Sequence, residues 1–139
     1  MNIILVMGRV CSGKTTFSEN LASEIAGRGY PVAVLNSEHV RETFEDSDFS
    51  VEGRLNAAIR LNEIAVDLDQ EFVIIDMVCP LKESRTLIDP NFVVFMDTVK
   101  GGPYEMFEAP PCDLVDVCFK ALPVQEDVEC VADKILNWL

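Results

Sequence analysis

The segment formed by residues 8–15 constrains this chain more than any other part of it. Its letters, GRVCSGKT, match the phosphate-binding pattern G-x-x-x-x-G-K-[ST]. An apolar run over residues 3–7 precedes the segment and a helical pattern follows it. Glycines allow backbone N–H groups to surround a polyphosphate, and the helix N-terminus adds a partial positive charge. A chance glycine turn is the alternative, but the flanking strand and helix favour a nucleoside triphosphate site, with ATP as the expected ligand.

The chemistry that a polyphosphate and Mg²⁺ require assigns roles within this loop. Lys14 is expected to reach the β- and γ-phosphates and to act in catalysis. Thr15 is expected to place its hydroxyl on Mg²⁺. The expected ATP-binding residues are Gly8, Arg9, Val10, Cys11, Ser12, Gly13, Lys14, Thr15 and Thr16.

The strongly negative charge of the chain limits its partners. The 139 residues carry a net charge of -13, and 49% of them are hydrophobic. This length and composition suit a single domain, residues 1–139, with its own core. An acidic body repels nucleic-acid phosphates, and the sequence has no run of Lys or Arg. Scattered cations could still converge in space, which favours a small anionic substrate and disfavours a nucleic-acid partner.

Cysteine usage and the N-terminal residues indicate a compartment. The five cysteines are odd in number and show no C-x-x-C spacing, which argues against a disulfide framework and a zinc site. Free thiols in a reducing cytoplasm are expected instead. The N-terminus lacks the features of a signal peptide, and no apolar run has the length of a membrane span. The prediction is a soluble cytoplasmic protein without a membrane partner.

Strand and helix patterns alternate along the chain. This alternation predicts an α/β protein, a three-layer α/β/α P-loop NTPase fold with a five-stranded parallel sheet. The expected strands cover residues 2–7, 31–35, 72–75, 92–96 and 114–119, and the expected helices about 14–27, 38–44, 51–69, 82–87 and 125–139. The first, third and fourth strands alternate little, which indicates central positions, whereas the fifth alternates as an edge strand does. Helical spacing predicts a packing face on each of two helices. The face of the 51–69 helix consists of Leu55, Ala58, Ile59, Leu61, Ile64, Ala65 and Leu68, and that of the 125–139 helix consists of Val128, Val131, Ile135 and Trp138.

Residues 97–113 form the one irregular stretch, rich in Gly, Pro and acidic residues. It lies where mononucleotide kinases usually carry a mobile lid. Here the expected lid is short and contains no arginine.

Glu38 and Arg41 stand on the predicted helix that follows the second strand. Ligands of an open parallel sheet bind at the carboxyl ends of the strands, and helical residues three apart face the same way. Glu38 could hold a magnesium-bound water or accept a substrate hydroxyl proton, and Arg41 could bind an anionic group bidentately. A surface pair of the two, worth under about 1 kcal/mol, is the alternative. Position alone does not decide between these readings.

Residues 72–76 read FVIID, four apolar residues followed by Asp76. Such a strand is typical of the carboxylate that takes a water of Mg²⁺ beside a phosphate loop. A polar strand end at the surface is the alternative. We favour the magnesium role because a buried strand rarely ends in an unpaired carboxylate.

Several short segments, taken in order, resemble the adenylylsulfate kinase (APS kinase) family. That family has Leu-Asp-Gly-Asp-x-x-Arg, Gly-Phe-Ser, Asp-Arg-x-Glu-Asn-x-Arg-Arg, Glu-x-Ala, Ser-Pro-Tyr-Arg and Pro-Tyr-Glu-x-Pro. The matching segments here are LNSEHVR (35–41), DFS (48–50), GRLNAAIR (53–60), EIA (63–65), CPLK (79–82), PYE (103–105) and EAP (108–110). The resemblance covers about residues 1–110 with nearly intact spacing.

The resemblance implies substrate and catalytic roles for matched residues. Glu38 takes the place of the family's catalytic, magnesium-associated aspartate. Arg41 and Arg54 match arginines that bind the APS phosphosulfate. Phe49 matches the phenylalanine that stacks on the substrate's adenine, a role that suits an aromatic ring. A hydrophobic core position is the alternative for Phe49.

Further implications concern the rest of the substrate site and the assembly. The family's substrate-binding asparagine corresponds to Ala57 in this chain. The adjacent Asn56 is therefore the residue expected to bind the substrate there. Because the lid offers no arginine, the cation beside the γ-phosphate is expected to come from Lys14, Arg9 or Lys82, and Lys82 is also a candidate substrate-binding residue. Family members are often dimers, so a homodimer is also implied.

The resemblance predicts a kinase that uses ATP and Mg²⁺ and transfers the γ-phosphoryl group to a hydroxyl of APS, giving PAPS. The chain departs from the family pattern at Glu38, at Ala57 and at Asp76, where the family has a small uncharged residue. These departures and the short lid keep two alternatives open. One is a P-loop kinase of another small-molecule or nucleoside hydroxyl acceptor. The other is a nucleotide-binding regulatory protein with little catalysis.

Overall fold

The computed structural model describes residues 1–100 and 107–139. The strands are β1 (Asn2–Gly8), β2 (Val32–Asn36), β3 (Phe72–Met77), β4 (Phe92–Met96) and β5 (Val117–Phe119). The helices are α1 (Lys14–Gly27), α2 (Ser37–Thr43), α3 (Val51–Leu68), α4 (Lys82–Ile88) and α5 (Gln125–Trp138). A 3₁₀ turn covers Cys112–Leu114.

The five strands form one parallel sheet in the order β2-β3-β1-β4-β5. The three apolar strands therefore occupy the centre and β5 an edge, as the hydrophobic patterns predict. Both central neighbours of β1 hold it in register, with Leu5 opposite Ile75 on β3 and Val93 on β4. Every residue of β3 is buried. The carboxyl ends of all five strands consequently meet at one edge of the sheet.

Helices cover both faces of the sheet and create two cores. Alternate β1 side chains serve the two cores, with Ile4 and Val6 in one and Leu5 and Met7 in the other. The first core also contains Phe17, Leu21 and Ile25 from α1 and Val128, Val131 and Ile135 from α5. The second contains Ala58, Leu61 and Ala65 from α3 and Ile88 from α4. The predicted three-layer α/β/α architecture is confirmed.

Three local expectations were wrong. The fifth strand begins at Val117 and not at residue 114, because the residues after Pro111 turn into the 3₁₀ segment, where Leu114 N–H donates to the Pro111 carbonyl at 3.0 Å. Trp138 is 60% exposed, although its ring still meets Phe92 at a centroid separation of 5.8 Å. Ile59 is 40% exposed and Leu68 is 39% exposed, so the buried face of α3 is narrower than its apolar pattern.

Side-chain caps fix the starts of the two helices that follow β2. Asn36 Oδ1 accepts a hydrogen bond from His39 N–H at the start of α2. Ser50 Oγ accepts from Gly53 N–H at the start of α3. Asp48 Oδ1 accepts from Ser50 N–H, a local turn in the segment that connects α2 to α3. Such local caps are each worth about 1 kcal/mol.

Some expectations fall on parts of the chain outside this description. The PYE segment and the middle of the expected lid, residues 101–106, lie outside the described residues. Within residues 1–100 and 107–139, no helix combines the length and the apolar character needed to cross a membrane. All five cysteines are free, as the cysteine spacing predicts.

Candidate active site

The phosphate-loop sequence folds into a tight turn between β1 and α1. A Cβ atom on Gly8 would lie 2.6 Å from the Met96 carbonyl oxygen, so only glycine fits there. Gly13 has φ 91 and Cys11 has φ 65, both in the left-handed region. Thr98 Oγ1 donates to the Ser12 carbonyl at 2.8 Å. The turn is thereby tied to the residues that follow β4.

Lys14 begins α1 and points back over the loop. Its ammonium donates to the Arg9 carbonyl at 3.0 Å. Burial lowers the pKa of Lys14, while the nearby Asp76 and Glu38 carboxylates partly oppose that shift. A poorly solvated cation at the start of a helix is well suited to a polyphosphate, because the anion would replace the water that the ammonium has lost.

A buried carboxylate lies beside the loop at the end of β3. Asp76 is 3% exposed, and its Oδ2 accepts from Thr15 Oγ1 at 2.7 Å and from Asn36 Nδ2 at 2.8 Å. The alternative of a polar strand end at the surface is therefore wrong. A hydroxyl and a carboxylate at this separation offer the hard oxygen ligands that Mg²⁺ prefers. The residues present fit a magnesium ion bound together with a triphosphate.

Asn36 is a site residue that sequence reasoning missed. It ends β2 directly opposite Asp76 in the parallel register, and its Nδ2 also lies 3.4 Å from Thr15 Oγ1. A polar residue at a strand's carboxyl end was the available signal. The local sequence could not show that Asp76 of β3 is its hydrogen-bond partner.

The second half of the site surrounds Phe49. The Arg41 guanidinium carbon lies 4.3 Å from the Phe49 ring centroid and that of Arg54 lies 5.4 Å from it. Arg54 Nε donates to the Phe49 carbonyl at 2.9 Å, and Arg41 Nη1 donates to the Asp48 carbonyl at 3.0 Å. The ring is 45% exposed, so Phe49 is not a core residue.

Arg41 is buried among other cations. Burial lowers its pKa, and the neighbouring Arg54 and Arg60 guanidinium groups lower it further, against the attraction of Asp46. Its ion-pair partner is Asp46, with Nη1 to Oδ2 at 3.3 Å. The alternative of a surface ion pair between Arg41 and Glu38 is therefore not the contact that the structure shows. Positive charge concentrated around the buried Arg41 guanidinium favours an anionic ligand.

One cavity joins the two halves of the site. Its volume is about 390 Å³, within the range of small-molecule sites. The cavity is lined by Val10, Cys11, Lys14, Thr15, Asn36, Ser37, Glu38, Arg41, Phe49, Arg54, Asp76, Met77, Val78, Cys79 and Pro80. Glu38, on the exposed first turn of α2, lines the wall with both the phosphate loop and the arginines.

The structure does not bring every predicted residue to this cavity. Asn56 is exposed on α3 and Lys82 is exposed at the start of α4, and neither lines the wall. Five loop residues do not line it either, namely Gly8, Arg9, Ser12, Gly13 and Thr16. Arg9 instead places its guanidinium carbon 4.6 Å from the Phe107 ring centroid. The binding roles of these residues stay predictions.

Comparison with known proteins identifies the family of this chain, which has a phosphate loop and an arginine-lined cavity. A family model described as Adenylylsulphate kinase matches residues 1–99. The matched span contains the whole wall of the cavity. The chain belongs to the adenylylsulphate kinase family. The resemblance stated from the sequence is confirmed.

One curated member of the adenylylsulphate kinase family supports this assignment in sequence. The adenylyl-sulfate kinase of Bacillus licheniformis is 34% identical over 90 residues, which are 63% of this chain and 46% of the relative. The chain thus spans about half the length of the curated relative it matches.

Solved structures show the same fold in adenylylsulphate kinases and beyond them. The Mycobacterium tuberculosis APS kinase CysC in complex with AMPPNP and APS has a TM-score of 0.78 at 18% identity, covering 98% of this chain and 95% of that chain. A gluconokinase from Sinorhizobium meliloti has a TM-score of 0.65 at 18% identity, covering 99% of this chain and 92% of that chain. At these identities the likeness establishes the fold alone.

Proposed function

We propose that this chain transfers the γ-phosphoryl group of ATP to a hydroxyl group of APS, with PAPS and ADP as products. The observation that carries the proposal is a cavity whose wall includes Lys14, Thr15 and Asp76 together with Arg41, Phe49 and Arg54. A phosphate donor and an anionic aromatic acceptor would meet inside it. A cytoplasmic location, a homodimer and a single domain remain predictions.

The donor half would act by position and charge. The loop N–H groups and Lys14 hold the β- and γ-phosphates, and the Lys14 cation draws off charge as the bond to ADP breaks. Thr15 and Asp76, whose Oγ1 and Oδ2 atoms lie 2.7 Å apart, are the residues that would hold the magnesium ion. When bound, Mg²⁺ neutralises charge on the phosphates.

The acceptor half would orient the substrate's hydroxyl. The exposed part of the Phe49 ring would stack on the adenine, and the two arginines whose guanidinium groups contact that ring would bind the substrate's anionic groups. The hydroxyl oxygen attacks the γ-phosphorus, ADP leaves, and the hydroxyl proton passes to the Glu38 carboxylate. This role for Glu38 is supported by its presence in the wall of the same cavity as Lys14 and Arg41.

One observation favours a different acceptor as the second candidate. Arg41 already bonds to Asp46 and to the Asp48 carbonyl within the protein, so part of its hydrogen-bonding capacity is used internally. An acceptor with a smaller anionic group than a phosphosulfate would need fewer donors. A kinase of another small hydroxyl compound would fit the same cavity and the same donor half.

Phe49 should decide acceptor affinity without affecting the donor. In Phe49→Leu, we expect APS binding to the protein loaded with a non-hydrolysable ATP analogue to weaken about tenfold, since stacking of a base on an aromatic ring contributes about 1–3 kcal/mol. Affinity for the ATP analogue itself should stay within about twofold. Isothermal titration calorimetry measures both constants.

Phe44→Leu is the matched control for this experiment. Phe44 is also exposed, at 55%, and also carries a guanidinium, with the Arg60 carbon 4.6 Å from its ring centroid. It does not line the cavity. Equal losses of APS affinity in both variants, or no loss in Phe49→Leu, would contradict the acceptor assignment.

A further inference from the structure

We propose that Asn36 is a positioning residue that holds the Asp76 carboxylate at the magnesium site and ties it to the helix that carries Glu38. The proposal rests on the ATP–Mg²⁺ binding of the proposed function and is independent of the identity of the acceptor.

Both ends of the Asn36 amide are engaged, each with a different part of the site. Its Nδ2 donates to Asp76 Oδ2 at 2.8 Å, and its Oδ1 accepts from His39 N–H at 2.9 Å. Asp76 ends β3, and His39 lies in the first turn of α2 next to Glu38. The Asn36 side chain thus joins the end of β3 to the first turn of α2.

This link matters most once a nucleotide is bound. In the structure, Asp76 Oδ2 accepts from both Thr15 and Asn36. If the Thr15 hydroxyl turns toward Mg²⁺, Asn36 keeps the second of these two contacts. Groups that hydrogen-bond to a metal-associated carboxylate fix its orientation, and their loss typically lowers metal affinity about 10- to 100-fold.

A purely structural role for Asn36, capping α2, can be separated from the positioning role. Serine and aspartate cap helices about as well as asparagine, so Asn36→Ser and Asn36→Asp both keep an acceptor for the His39 N–H. Neither keeps the donor to Asp76. The serine hydroxyl ends closer to the backbone than the amide nitrogen, and an ionised aspartate has no donor.

The experiment measures binding of a fluorescent, non-hydrolysable ATP analogue with EDTA and across a Mg²⁺ titration. For Asn36→Ser, we expect the Mg²⁺ concentration at half-maximal effect to rise about tenfold, with binding in EDTA unchanged within about twofold. Asn36→Asp removes the same donor but also adds a negative charge, so we expect its binding in EDTA and its response to Mg²⁺ both to differ from those of Asn36→Ser. Binding in EDTA should fall several-fold because a second carboxylate faces the phosphates, and the gain on adding Mg²⁺ should exceed that of the wild type.

Asp76→Asn supplies the coupling test. If Asn36 acts through Asp76, adding Asn36→Ser to Asp76→Asn should not raise the Mg²⁺ requirement further. The proposal is overturned if Asn36→Ser leaves the Mg²⁺ requirement unchanged, or if it weakens binding equally with and without Mg²⁺. A wild type that binds no analogue under either condition would overturn the proposed function as well, which distinguishes the two failures.

Discussion

Replacing Lys14 by alanine should lower phosphoryl transfer about a hundred- to a thousandfold. The cavity wall carries three cations in the described part of the chain, and Arg41 and Arg54 lie at its acceptor end. Of these three, Lys14 belongs to the phosphate loop, where its ammonium donates to the Arg9 carbonyl. Removing one preorganised donor to the charge that develops in a transition state costs about two to three orders of magnitude in rate.

The measurement is the rate of ADP release at saturating ATP–Mg²⁺ and acceptor. Lys134→Ala is the control, because that lysine is exposed on α5 and does not line the cavity. Its rate should equal that of the wild type. Retention of more than about a tenth of the rate in Lys14→Ala would mean that the loop lysine does not stabilise the transferred phosphate.

Gly8→Ala should abolish nucleotide binding and destabilise the fold. The new methyl group would lie 2.6 Å from the Met96 carbonyl oxygen and 2.7 Å from Ser12 Oγ. Gly8 and Met96 are paired in the β1–β4 register, so the backbone cannot move aside without breaking the sheet. We expect a loss of about 1–3 kcal/mol in the free energy of unfolding, as for other overpacked sites.

Urea denaturation and analogue binding test this expectation together. Gly27→Ala is the matched control, because a Cβ atom on Gly27 meets nothing within 4 Å. At the end of α1 it should be neutral or stabilising by about 0.4–1 kcal/mol. A Gly8→Ala variant that unfolds at the same urea concentration as the wild type and binds nucleotide would show that the loop tolerates a side chain there.

The strands and the loop could be predicted because their signals are local. Apolar runs without alternation predicted central positions for β1, β3 and β4, and the glycines of the phosphate loop indicated a tight turn. The start of β5 was missed because the alternation of apolar residues begins at Leu114, three residues before the strand. Pro111, which precedes the 3₁₀ turn, was the signal against a strand there. Exposure of Trp138 depends on where α5 ends against the sheet, which no helical periodicity reveals.

The site was only partly predictable because its key contacts join distant segments. Asp76 was recognised from its own strand, but Asn36 required knowledge that β2 lies beside β3 in register. Arg41 lines the cavity, but its ion pair with Asp46 was missed because Asp46 lies in the loop after α2, whose path the local sequence does not give. Asn56 was chosen for its neighbour's position in a family pattern, and the helical twist places it on the exposed side of α3.

Transfer of a radiolabelled γ-phosphoryl group from ATP–Mg²⁺ to APS tests the central claim most directly. The account predicts labelled PAPS that forms only when APS is present and that falls with Lys14→Ala. Labelled ATP that binds and yet gives no labelled product with APS would contradict the assignment of APS as the acceptor.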